Sequence, residues 1–227
     1  MPTSYPLYRA AGRPVELGRQ HGEQAAEKIR GFLDYLAGQL KLSHESLRTR
    51  ARRFVPLFET ACPHLLEEIA GLADGAGVDF ADALAVQLRG ELGQAGDGAC
   101  TSFVIGRRGT ADGDILIGQT SDNPAALMDY AYVLDLKPAS GPQMLMWTFG
   151  GMIGYHGLNR WGVAHFANAL GGGPAWKFAL SHYPLKRMML EKKSLAEILA
   201  LMHQVRGSAR TATTCFATVT AAFLTSN

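Results

Sequence analysis

The chain has 227 residues, enough to bury a substantial core as one large domain or two small ones. Its 22 Lys and Arg against 20 Asp and Glu leave a net charge of +2, too small a surplus for a polyphosphate backbone, so no nucleic-acid partner is expected. The opening MPTSYPLYRAAGRP lacks a basic start followed by an apolar run, and no stretch approaches the ~20 apolar residues of a membrane span, so a cytoplasmic protein without a membrane partner is expected.

The predicted elements divide near residue 97. Ala25, Ile29, Leu33, Leu36 and Leu40 recur at steps of three and four, one face of an amphipathic helix over 23–40. A second helix is predicted over 46–60, with Leu47, Ala51, Phe54, Val55 and Phe58 inward and four arginines on a solvated face. Pro63 suits the first turn of a third helix through Leu72, which Gly71, Gly75 and Gly77 help to end. Asp79 caps a fourth carrying Leu84, Leu88 and Leu92, so residues 15–93 read as all-helical.

Beyond Cys100 the period changes. Segments 101–105, 115–120, 130–136, 143–149 and 162–170 are short, β-branched or aromatic, and separated by turn clusters such as RRGTADGD. Their connections are mostly too short for crossover helices, which favours an antiparallel meander. Two helices follow, one near Pro184 and one from the capping box Ser194-Leu195-Ala196-Glu197, giving a layered α+β domain.

Three cysteines separated by 38 and 115 residues form neither a disulfide framework nor a zinc pattern. Cys62 and Cys215 read as small buried apolar residues, and Cys62 with His64 makes no metal site without partners from elsewhere. Cys100 differs. In GDGACTSFVIG, small residues leave the Ala99 carbonyl uncrowded while Thr101 and Ser102 open a strand that fixes the thiol's direction. Attack on the preceding peptide bond would give a thioester, and hydrolysis would leave Cys100 with a free α-amine. With reference values of ~7.7 to 8.0 for that amine and ~8.5 for the thiol, base and nucleophile would share one residue. His156 and His165 read as packed strand residues, and no dinucleotide or phosphate loop is present.

The motifs ACTSF, GDILIGQTSDN and GGMIGYHGLNRWGVAHFANAL, with GRQHGEQ and EEIAGLADGAGVDFADALAVQLRGEL upstream, resemble the acyl-coenzyme A:6-aminopenicillanic acid acyltransferase family of N-terminal nucleophile hydrolases. Choloylglycine hydrolases and acid ceramidase are more distant matches. The resemblance implies a four-layer αββα sandwich, its cysteine precursor cutting itself between Ala99 and Cys100. Residues 1–99 would be a helical pro-segment and 100–227 the start of the catalytic domain, the two products staying associated. It makes Cys100 the nucleophile and Asp122 the residue that orients the freed amine. Asn168 becomes an oxyanion donor, and Thr101 and Gln119 become substrate contacts. On local chemistry alone, Asp122 equally caps the turn at Asn123-Pro124, and Asn168 equally ends a strand before Gly171. The implied substrate is a small amide or acyl compound. No cofactor is required, with acyl-coenzyme A as a candidate co-substrate. After Arg210 the uncharged TATTCFATVTAAFLTSN shows no likeness and the family's later motifs are absent, so an incomplete sandwich is expected, and a non-catalytic relative is the alternative.

Overall fold

The computed structural model describes residues 4–92, 100–169, 178–205, 212–218 and 224–226, with backbone only for Ala169 and the last two segments. The fold is mixed helix and sheet. Strand β1 (Leu7–Gly12) leads into α1 (Pro14–Leu40), α2 (His44–Arg52), α3 (Val55–Ala61), α4 (Pro63–Ala76) and α5 (Phe80–Val86). A hairpin follows, β2 (Cys100–Ile105) and β3 (Leu116–Ser121), and then the run β4 (Ala131–Pro138), β5 (Met144–Phe149), β6 (His156–Asn159) and β7 (Val163–Ala169). Helices α6 (His182–Leu190) and α7 (Leu195–Gln204) precede β8 (Ala212–Thr218) and β9 (Leu224–Ser226).

Local chemistry accounts for most of the boundaries. Pro14 sits in the first turn of α1, and Glu16 accepts the Arg13 backbone N–H at 2.8 Å, which starts the helix well before residue 23. The helix expected over 46–60 is two, because Pro56 lies in the first turn of α3 and supplies no N–H to continue the earlier ladder. Asp79 caps α5 through the Ala81 N–H at 2.7 Å, and Ser194 caps α7 through the Glu197 N–H.

GRQHGEQ serves three faces of α1. Gly18 and Gly22 meet Gly71 and Gly75 of α4 so closely that a Cβ on Gly71 would sit 2.1 Å from the Val15 carbonyl oxygen. Gly71 and Gly75 therefore lie inside α4 as contact points, and only Gly77, at φ 65°, ends that helix. His21 lies against the Tyr132 hydroxyl at 2.6 Å, and that hydroxyl accepts the Gly151 N–H. Gln20 and Gln24, one turn apart, each bond both main-chain groups of one β1 residue, Ala11 and Arg9 respectively, at 2.7 to 3.1 Å.

The larger sheet has the order β1-β4-β5-β6-β7-β8-β9 among the described residues. Strands β4 to β7 form the expected antiparallel meander, whereas β1 pairs parallel with β4 from Leu7 opposite Val133 to Gly12 opposite Pro138. The first 99 residues are thus not wholly helical. The threonine-rich tail extends the sheet, with β8 pairing β7 over seven positions. One face of β4 and β5, formed by Tyr132, Leu134, Leu136, Met144, Met146 and Thr148, is buried. On the opposite face, Leu145 and Leu158 are exposed. The hairpin is a separate two-stranded sheet lying against β7 and β8. Ala99, Gly171 to Gly173 and the Cys215 side chain lie outside the described residues.

Candidate functional site

Cys100 is the first residue of β2 and pairs with Ser121, the last of β3. Alternation puts Cys100, Ser102, Gln119 and Ser121 on one face of the hairpin, in half-buried positions. This face is turned towards β7. Ser102 Oγ donates to Asn168 Oδ1 at 2.7 Å, while Gln119 clamps the main chain of Ala167, donating to its carbonyl at 3.0 Å and accepting its N–H at 3.2 Å. Val104 and Ile117 share this face, while Phe103, Ile105 and Leu116 face outward, with Phe103 49% and Leu116 50% exposed.

Around the thiol the groups are polar. Cys100 Sγ lies 3.9 Å from Ser121 Oγ, which accepts from Asn123 Nδ2 at 2.8 Å. Buried Tyr155, in the loop before β6, lies beside the Asn123 and Ser121 side chains, and its phenol is held above its ordinary value by burial. Behind Tyr155 stands Lys186 of α6, its ammonium 4.7 Å from the Tyr155 ring centre and 5.3 Å from that of Tyr183. Burial pushes Lys186 down to about 7, while Cys100 and Glu91 pull it up and Arg89 adds to the depression.

The expected residues meet this site unequally. Asn168 is brought to the hairpin face with its carbonyl oxygen engaged by Ser102, so its NH2 is the end left without a partner among the described residues. Asp122 follows Ser121 directly, but its side chain is exposed and makes no hydrogen bond among the described residues; Asn123 holds the turn instead. Thr101 points to the opposite, exposed face of β2, and the Gln119 amide is consumed by Ala167. Lys186 and Tyr155 were not anticipated. Both lie 55 or more residues from Cys100, and no local spacing marks them.

The histidines are structural. His165 bonds the Lys186 carbonyl at 2.9 Å and is pushed down to about 4 by burial, and His156 is likewise driven well below its usual value by burial and by Lys186. Cys62 is fully buried, its thiol pushed up to about 12 by burial and then by Glu191. Among the described residues no group of three His, Cys, Asp or Glu side chains could hold a metal, and no helix is long and apolar enough to cross a membrane. A cavity of about 450 Å³ lined by Leu57, Met188, Leu201 and Val205 contains none of the residues around Cys100.

No family model matches the chain. It is similar to the acyl-coenzyme A:6-aminopenicillanic-acid-acyltransferase 40 kDa form of Emericella nidulans, at 29% identity over 194 residues that cover 82% of this chain and 53% of that protein. The chain therefore spans about half the length of this curated relative. The likeness bears out the resemblance carried by the motifs around Cys100.

Proposed function

We propose, from this likeness to an acyltransferase, that the chain belongs to a cysteine N-terminal nucleophile enzyme that cuts itself between Ala99 and Cys100 and then transfers or hydrolyses an acyl group of a small amide or thioester. The supporting observation is a half-buried thiol on the same hairpin face as Ser102, which holds the Asn168 carbonyl oxygen and leaves that amide's NH2 without a partner among the described residues. After cleavage, the Cys100 amine would take the thiol proton, the sulfur would attack the substrate carbonyl, and Asn168 would donate to the developing oxyanion. Acyl-coenzyme A is a candidate acyl donor. The stacking of helices, sheet and hairpin fits one outer layer and the two inner layers of an αββα sandwich. The β1–β4 ladder fits products that stay associated.

Intact-mass spectrometry tests this reading. The wild type should give two fragments divided before Cys100, and Cys100→Ala should stay whole; an unsplit wild type counts against the proposal. The exposed Asp122 favours a second reading, a relative without catalysis, because an amine-orienting carboxylate is expected to be turned towards the nitrogen it serves. Turnover of simple amides or thioesters by the 227-residue chain would exclude that second reading.

A further inference from the structure

The hairpin and the larger sheet share no ladder among the described residues, so side chains must set how Asn168 of β7 stands against the strand that carries the thiol. We propose that Gln119 is a positioning residue: its carboxamide holds the β7 main chain at Ala167 so that Ser102 meets the Asn168 carbonyl oxygen and the NH2 of that amide is left for the substrate's oxyanion. The inference rests on the proposed function and deepens it.

Three observations carry it. First, Gln119 engages one residue with both ends of its carboxamide, donating to the Ala167 carbonyl at 3.0 Å and accepting the Ala167 N–H at 3.2 Å. Ala167 is 7% exposed, and main-chain groups buried to that degree require partners. Strand β6 pairs with β7 only as far as His165, opposite Gly157. Beyond that point the Gln119 carboxamide grips the β7 main chain as a residue of a neighbouring strand would.

Second, Gln119 and Ser102 lie directly opposite one another in the hairpin and reach consecutive residues of β7. Gln119 takes the main chain of Ala167, and Ser102 takes the side chain of Asn168 at 2.7 Å. One cross-strand pair thus fixes both the backbone and the carboxamide plane of the candidate oxyanion donor. Third, this pair adjoins the thiol. Cys100 and Ser102 are next neighbours on one face of β2, roughly 7 Å apart between Cα atoms, so an Asn168 amide held against Ser102 stands close to the strand position of the sulfur. On the outer face the Phe103 ring lies across Gly118, where an added Cβ would come within 2.5 Å of it, so the β3 main chain beside Gln119 is covered from behind.

A side chain so placed acts on the reaction without touching the substrate. Without the clamp the Ala167 main chain is released and Asn168 parts from Ser102, and a displacement of about 1 Å at a catalytic group costs on the order of 100-fold in rate. The substrate contact that the family resemblance implies for Gln119 would show in KM instead.

The test uses the full chain as wild type, Gln119→Met, Gln119→Glu, Asn168→Ala and the double variant Gln119→Met with Asn168→Ala, with folding checked by circular dichroism. Methionine keeps the length of the side chain and makes no two-point clamp, while glutamate at pH 7.5 can accept the Ala167 N–H but has no proton for the carbonyl. With S-phenyl thioacetate as the probe, Gln119→Met should lower kcat by about 10- to 100-fold and leave KM within about twofold. Gln119→Glu should fall between, and Gln119→Met should cost nothing further in the Asn168→Ala background. A raised KM with unchanged kcat, or losses that multiply in the double variant, would overturn the assignment. Two readouts need no turnover. In Gln119→Met the Ala167 amide should exchange with deuterium at least about tenfold faster, and the Asn168 side-chain NH2 resonances should move from their wild-type positions. Wild-type exchange and resonances in that variant would equally refute the clamp. A wild type that leaves the thioester intact sinks the proposed function alone, because these two readouts still decide whether Gln119 holds Asn168. Should Gln119→Met fail to fold, Gln119→Glu takes its place in each comparison.

Discussion

Replacing Gly71 by alanine examines the contact between α1 and α4 most directly. The added Cβ would lie 2.1 Å from the Val15 carbonyl oxygen and 2.9 Å from the Arg19 nitrogen. These are main-chain atoms of a helix, so no side chain can rotate away. Restoring an ordinary separation of ~3.4 Å would part the two backbones locally by about 1.3 Å, loosening the packing of Leu17, Ile69 and Leu72 around the contact. Overpacking of this kind costs roughly 1 to 3 kcal/mol, and the rigid obstacle argues for the upper end. Alanine returns ~0.8 to 1 kcal/mol as a better helix former. The net expectation is a loss of about 2 kcal/mol, or a Tm lower by roughly 4 to 8 °C for a chain of this size. Urea denaturation followed by circular dichroism measures it. Gly38→Ala, in the same long helix with nothing within 4 Å of the new methyl group, is the internal comparison and should stabilise by up to ~1 kcal/mol. If both variants shift stability the same way, the backbone contact is not what requires glycine at position 71.

Two further expectations concern buried charge. Arg187 and Glu68, each about 1% exposed, form a two-point ion pair at 2.8 Å; Arg187→Met strands the carboxylate and should cost ~3 to 5 kcal/mol by chemical denaturation, with Glu68→Gln costing less because Glu191 still meets the guanidinium. Burial drives His21 from its ordinary 6.5 down to about 3, so the folded chain keeps it neutral while the unfolded chain takes up a proton. That contribution is complete above pH 6.5 and shrinks as pH falls through 6.5 towards 3, by ~2 kcal/mol at pH 5; His21→Gln, which can still accept from Tyr132, should flatten the acid limb of stability against pH by that amount, and an unchanged limb would refute it.

The helices were readable because each carries its own signal. Ala25 to Leu40 repeats at helical spacing, and Asp79 and Ser194 announce their helix starts. What was hidden depends on partners far along the chain. Strand β1 is six residues of mixed character, and its ladder partner begins more than 120 residues later. Strand β6 is four residues, HGLN, too short for alternation to register. The hairpin inverts the usual rule. A reader expecting apolar residues inward would turn Phe103 and Ile105 to the core, yet they face out and Cys100 and Ser102 face β7. Cys100 stood out from its neighbours in the sequence, whereas Lys186 did not. Within HYPLKRMML it looks like an ordinary surface cation, and only the fold turns it inward between two tyrosine rings.

Strand β1 has both sides occupied, β4 on one and the glutamine pair of α1 on the other. A sheet so closed at one margin can lengthen only from the opposite one, where β9 is outermost among the described strands. Among the described strands, then, a strand added to this sheet docks beside β9, and the sheet grows by edge pairing in a single direction.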